Sequence, residues 1–240
     1  MWGLGVSLLG LLMACSNPYM ETLTVFETPS RYVRLAIDPT VSLDSGFSHP
    51  VAIDPDGMAT VLKGMMVIEP DSFIPWPFKE DRPPRHPLFS EADIRFWAPL
   101  LAKALDSATP EEVVTFYQSD DISALSREVT SGGMFVKDQL LYFILSNYRA
   151  PSGFMADYGM ADTLDDRRFP LRSMAPQQVT LQFDPVSLVV APQENSQSNG
   201  LSLQRRTIAV LFRQLPMRPS GLARDQAPTP ALTSPNPPLQ

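Results

Sequence analysis

Proline placement sets the first limits on what this chain can fold into. Of its 25 prolines, six lie within residues 70–89 (PDSFIPWPFKEDRPPRHPLF) and seven within residues 215–240. Proline has no backbone N–H and clashes with the preceding helical turn, so neither segment suits a helix or a central strand. The 240-residue chain is left with two windows for regular structure, one before residue 70 and one from 90 to 214. A long helical bundle or coiled coil is excluded. Hydrophobic residues make up 44% of the chain, enough to bury a core within those windows.

Patterning inside the windows alternates between two periods. Leu23, Val25 and the run Tyr32–Ile37 read as β structure that closes at Asp38-Pro39. Asp54-Pro55 supplies an N-cap with proline at the first helical position, and Met58, Val61, Leu62 and Met65 follow at helical spacing. They predict a helix over about 55–64 and a strand over Met65–Ile68. Ser90-x-x-Asp93 has the form of a capping box with Asp in place of Glu. Ile94, Trp97, Ala98, Leu101, Leu105 and Ala108 then trace one apolar face, with Pro99 placed to kink the helix.

From Val113 the period becomes two. Val113–Tyr117, residues 125–137 and Leu140–Leu145 read as strands, with Lys137-Asp138-Gln139 as a tight turn and Gly132-Gly133 as a bulge or bend. Residues 150–176 read as polar loop; Val179–Phe183 and Thr207–Phe212 are the last strands. Runs of strands with two helices grouped early predict an α+β fold, predominantly an antiparallel sheet with two main helices. The domain is expected over 23–214, followed by a disordered proline-rich tail over 215–240.

The first 14 residues (MWGLGVSLLGLLMA) carry no charge, and residue 15 is the sole cysteine. One cysteine excludes an internal disulfide framework and a thiolate metal cage. The run is short of the roughly 20 residues a membrane span needs, and it suits the apolar core of a secretion signal. Leu12-Met13-Ala14-Cys15 resembles the lipobox of bacterial lipoproteins. It departs from that pattern in Met13 and in the absence of Lys or Arg before the apolar run.

The resemblance implies a signal peptide over 1–14, cleavage between Ala14 and Cys15, and lipidation of Cys15 at the head of a tether over 15–22. Ser16, where Asp would mark retention in the inner membrane, implies an outer-membrane location in the bacterial envelope. Acyl chains anchor because each buried methylene contributes about 0.8 kcal/mol.

Charge and motifs narrow the chemistry further. The net charge of −7 argues against nucleic acid, which calls for a basic face. Residues 1–204 hold 14 basic and 25 acidic side chains, whereas 205–240 hold five basic and one acidic. The tail either touches an anionic surface or is simply solvated. His49 and His86 each precede a proline and form no ligand pair, and no G-x-S-x-G elbow accompanies them.

Asp54-Pro55-Asp56-Gly57 begins like a calcium loop, but Met65 stands where the closing Glu belongs. Asp157, Asp162, Asp165 and Asp166 cluster beside Arg167 and Arg168, which offer local counter-charge. Asn147-Tyr148-Arg149 reads as a strand cap paired with an acid, or as the rim of a binding face. A strand after Ser131-Gly132-Gly133 defeats a phosphate cradle, and no Walker or dinucleotide fingerprint occurs. Neither metal nor cofactor is expected.

Three readings of function follow. The first is a membrane-anchored, non-enzymatic interaction or assembly module that meets an envelope protein partner, with Phe73, Trp76 and Phe78 in the contact loop. The second is a module for a small ligand or lipid, its apolar pocket lined by Trp97, Phe116, Phe135 and Phe143. The third is a hydrolase built on His49 or His86, which requires a Ser or Asp within hydrogen-bond reach of a histidine in a cleft.

Overall fold

A computed structural model describes residues 22–41, 46–69, 85–123, 126–153, 166–190 and 206–215. The expected signal peptide, the tether up to residue 21, the contact loop with Phe73, Trp76 and Phe78, and the tail beyond Leu215 lie outside the described residues. The chain runs β1 (Thr22–Glu27), β2 (Arg31–Ile37), α1 (Pro55–Gly64), β3 (Met65–Ile68), β4 (Arg85–Pro87) and α2 (Glu91–Ser107). It continues through β5 (Glu112–Ser123), β6 (Ser126–Lys137), β7 (Leu140–Gly153), β8 (Thr180–Phe183), β9 (Val189–Val190) and β10 (Thr207–Val210). The fold is α+β. A seven-stranded antiparallel sheet has the order β1-β2-β5-β6-β7-β10-β9, and a three-stranded antiparallel sheet has the order β4-β3-β8.

Both helices begin where local chemistry requires. The Asp54 carboxylate accepts the Gly57 N–H at 2.8 Å, and Pro55 opens α1. Ser90 accepts the Asp93 N–H at 3.1 Å while Asp93 reaches back to the Ser90 N–H, which completes the capping box that starts α2. α2 is a continuous helix from Glu91 to Ser107 with Pro99 inside it.

One face of the large sheet buries alternate residues against the helices. Val33 and Leu35, Val114 and Phe116, Met134 and Val136, and Leu141, Phe143 and Leu145 form one cluster with Ile94, Trp97, Leu101 and Leu105 of α2 and Met58, Val61 and Leu62 of α1. The opposite face carries Tyr32, Tyr117 and Val129, covered by Met174. The segment 166–176, expected as open polar loop, is the lid of this second face. Tyr32 Oη donates to the Arg167 carbonyl at 2.5 Å, Ser131 Oγ to the Pro170 carbonyl at 2.7 Å, and Asn147 Nδ2 to the Arg172 carbonyl at 2.7 Å.

The strands exceed their sequence limits in two places. β5 runs on past Tyr117 to Ser123, and β7 runs past Leu145 to Gly153. Between Val129 and Gly132, β7 carries two residues more than β6, because Val129 pairs with Ala150, Ser131 with Asn147 and Gly132 with Leu145. The bulges therefore lie in β7, opposite the glycines rather than at them, and Arg149 takes a left-handed φ of 45° there. Gly132 is required for a different reason, since a Cβ built on it would stand 2.0 Å from the Ile144 carbonyl oxygen.

Three boundaries also shift. Arg85–Pro87, inside the proline-rich segment, forms a strand after all; β4 lies at the edge of its sheet, where a missing N–H is tolerated. Thr22, assigned to the tether, opens β1, and Leu215, assigned to the tail, is buried in the core cluster. Among the described residues no helix is long and apolar enough to cross a membrane.

Candidate functional site

The chain passes from β4 into α2 through residues 85–90, and this passage faces the polar half of the large sheet. β4 is fixed by the Val67–His86 pairing with β3, and the Leu88 N–H donates to the Met65 carbonyl at 2.9 Å. Across from it stand Gln118 and Asp120 of β5, Thr130 of β6, and Tyr148 and Arg149 of β7. Lys63, Glu91 and Asp93 complete the wall of an open cleft of about 500 Å³.

The bulges in β7 determine what the cleft is made of. Two extra residues break the strict alternation of the strand, so Tyr148 packs with the helix-side cluster while Asn147 serves the other face. Tyr148 Oη thereby lies 2.8 Å from His86 Nε2, with both residues buried. This pair forms the floor.

Four of the five charged groups in the walls have an oppositely charged neighbour. Arg149 Nε donates to Glu128 Oε2 at 2.5 Å, Arg31 Nη2 to Asp93 Oδ1 at 3.2 Å, and Lys63 Nζ lies 3.5 Å from Glu91. Trp97 Nε1 donates to Gln118 at 3.3 Å, and Gln118 Nε2 to Asp120 at 2.8 Å, so a polar chain links the core to the rim. Exposed ion pairs contribute about 0–1 kcal/mol each, so an incoming polar group can exchange with one at small cost.

The residues singled out from the sequence separate widely. Trp97, Phe116 and Phe143 are fully packed core, edge to face or tilted at 5.5–6.0 Å. Phe135 lies on the other face, stacked on Tyr142 and touching Phe47, because it alternates with inward-facing Met134 and Val136. The four rings therefore do not line one pocket.

His49 and His86 are both buried, in different places. The Val136 N–H donates to His49 Nε2 at 2.9 Å, and His86 Nε2 lies 2.8 Å from the Tyr148 hydroxyl. Burial holds the His49 ring below the usual histidine range.

Of the acidic cluster, Asp157, Asp162 and Asp165 lie outside the described residues. Asp166 accepts both hydrogen bonds of Arg127 Nη2, at 3.0 and 2.9 Å, and a third from Tyr117 Oη at 3.1 Å. Among the described residues no three His, Cys, Asp or Glu side chains gather as metal ligands do. Asp54 acts as a helix cap.

Asn147-Tyr148-Arg149 does not cap a strand, because β7 runs on to Gly153; Arg149 does pair with an acid, and Tyr148 and Arg149 line the cleft. His86 as partner of Tyr148 had no sequence signal, because 62 residues separate them. No family model matches the chain, and no curated protein or solved structure is detectably similar to it.

Proposed function

We propose that the chain is a lipid-anchored protein of the bacterial envelope whose role is to hold a partner segment in the cleft, without chemistry. The observation that carries this reading is the state of the cleft's charges. Lys63 faces Glu91, Arg149 and Asp93 are held by Glu128 and Arg31 from outside the lining, and Asp120 accepts from the Gln118 amide, so around the buried His86–Tyr148 floor the charges are spread out rather than converging on a point where a reacting atom could sit. The segment with Phe73, Trp76 and Phe78 leaves after Ile68 and returns at Arg85, two residues that pair across β3 and β4. Its ends are thus fixed beside the cleft, which supports a role for those aromatics in gripping the same partner.

The test is photo-crosslinking of the full-length protein in cells. A photoreactive residue at Thr130 should trap one reproducible envelope protein, and Arg149→Glu should abolish the product. A yield at Thr130 no higher than at Val186, which is exposed and outside the cleft lining, would defeat the proposal.

The volume of the cleft favours a second reading. About 500 Å³ lies within the range of small-molecule sites, roughly 300–1,000 Å³, and the lining mixes apolar Leu88, Phe89 and Ile94 with polar Gln118, Thr130 and Tyr148. Thermal stabilisation by a small polar compound, lost in Thr130→Trp, would mark that outcome.

A further inference from the structure

Strand register places the point where the chain enters the sheet at the end opposite the cleft. Thr22, the first residue of β1, pairs with Ala36, and Ala36 pairs with Val113. At the other end Arg31 pairs with Gln118 and Gln118 with Thr130, the latter two lining the cleft. Five residues of β5 separate the two rows, about 17 Å along the strand at roughly 3.3 Å per residue. Asp121, near the tip, stands about 26 Å beyond the entering row on the same measure.

β10 runs towards the entering end too. Ala209 pairs with Tyr142 and Val210 with Leu141, next to the turn at Asp138-Gln139. Both termini of the folded region therefore leave from one end of the sheet.

We propose that this end faces an anionic lipid surface and that the cleft opens away from it, towards a protein partner that is not in the same plane of lipid. The inference rests on the anchoring of Cys15 proposed above. Only seven residue steps join Cys15 to Thr22, at most about 25 Å of fully extended chain. The tether holds the entering row near the headgroups, and the strand direction carries the cleft outwards.

Charge on the sheet is mixed at both ends, since Arg127 and Arg149 accompany the acids of the cleft end and Glu111 and Glu112 accompany Asp38 at the other. Asp120 and Asp121 are exposed at the cleft end and are repelled by anionic lipid. Arg213, at the exit, is followed in sequence by Arg218 and Arg224 against a single Asp225. Asp38 and Asp138 also sit at the lipid-facing end, so the arginines and the acyl chains, not the sheet, provide the attraction.

Lipidated full-length protein in vesicles of phosphatidylethanolamine and phosphatidylglycerol, with a nitroxide quencher on a fraction of the headgroups, tests the orientation. Single fluorophores are placed at Gln139→Cys and Thr40→Cys for the near end, and at Asp121→Cys and Ser123→Cys for the far end. All four positions are exposed, and the acylated Cys15 does not react with the label. The near-end labels should lose most of their fluorescence and the far-end labels almost none. Equal quenching at both ends, or stronger quenching at Asp121, overturns the orientation while leaving the anchor intact. No quenching anywhere, with Cys15 still open to maleimide, removes the anchor and the orientation together. No quenching with Cys15 acylated overturns the orientation alone.

Discussion

His86 Nε2 and Tyr148 Oη meet at 2.8 Å beneath the cleft, although 62 residues separate them. The contact needs two independent things: a strand that resumes after the proline-rich segment, and a bulge that turns Tyr148 towards the helices. Both residues are largely buried, at 7% and 6% exposure, so each draws on protein partners for hydrogen bonding.

Removing the hydroxyl with Tyr148→Phe leaves a buried imidazole nitrogen short of one partner. The expected cost is about 1–3 kcal/mol of unfolding free energy, read from the urea midpoint at constant slope. In a His86→Phe background the same change should cost markedly less. Equal costs in both backgrounds would show that the two groups are not coupled.

His49 predicts a pH dependence. Its Nε2 accepts the Val136 N–H, so the bound ring is neutral, and burial lowers its pKa against the raising influence of Thr109 and Glu112. With the folded pKa below the unfolded one, the unfolded state binds more protons as the solution acidifies. The stabilisation is complete above the unfolded value of about 6.5 and is lost as pH falls from there through the lowered folded value. Denaturation midpoints should drop across that window in the wild type and drop less in His49→Gln, whose amide oxygen also accepts the Val136 N–H. An identical slope in the variant would remove His49 as the cause.

The parts of this fold that were legible in the sequence are those decided within one or two turns of chain. Asp54-Pro55 and Ser90-x-x-Asp93 announce the helices because caps act over three residues, and Ile94 to Leu105 repeat at helical spacing. Ser146–Gly153 was not legible. Those residues are largely polar, their pairing with β6 is non-local, and the bulges that orient Tyr148 leave no local mark. Asp166 was noticed as one of a cluster of acids, but its partner Arg127 lies 39 residues away on the far face of the sheet. The cleft is assembled almost wholly from contacts of this kind, so only Asn147-Tyr148-Arg149 hinted at it.

Gly132→Ala tests the close approach of β6 and β7. The added methyl meets the Ile144 carbonyl at 2.0 Å and the Phe116 ring at 3.0 Å, and a backbone oxygen in a paired strand has little freedom to retreat. Overpacking of this sort costs about 1–3 kcal/mol, and the upper end is expected here. Gly64→Ala, whose methyl would meet the Phe183 ring at 2.4 Å and the Asp184 carbonyl oxygen at 2.7 Å, should behave alike. Thermal unfolding of both variants checks this; a loss below about 0.5 kcal/mol would show that β6 and β7 separate easily at Gly132, or that Phe183 and Asp184 give way at Gly64.

Asp166 offers the sharpest measurement on the second face. Its carboxylate is 5% exposed and holds Arg127 and the Tyr117 hydroxyl together. Burial, with the Asp166 charge second, pushes the Tyr117 phenol up to about 12. Asp166→Asn keeps the shape and removes the charge, so Tyr117 should ionise at lower pH than in the wild type. It should still lie above the usual value of about 10, because burial is the larger cause. Phenolate absorbance after rapid jumps to alkaline pH reports the shift, with Tyr117→Phe identifying the signal. Stability should fall by about 3 kcal/mol in Asp166→Ala, since the Arg127 guanidinium loses its carboxylate partner. If Tyr117 titrates unchanged in Asp166→Asn, the carboxylate does not act on the ring.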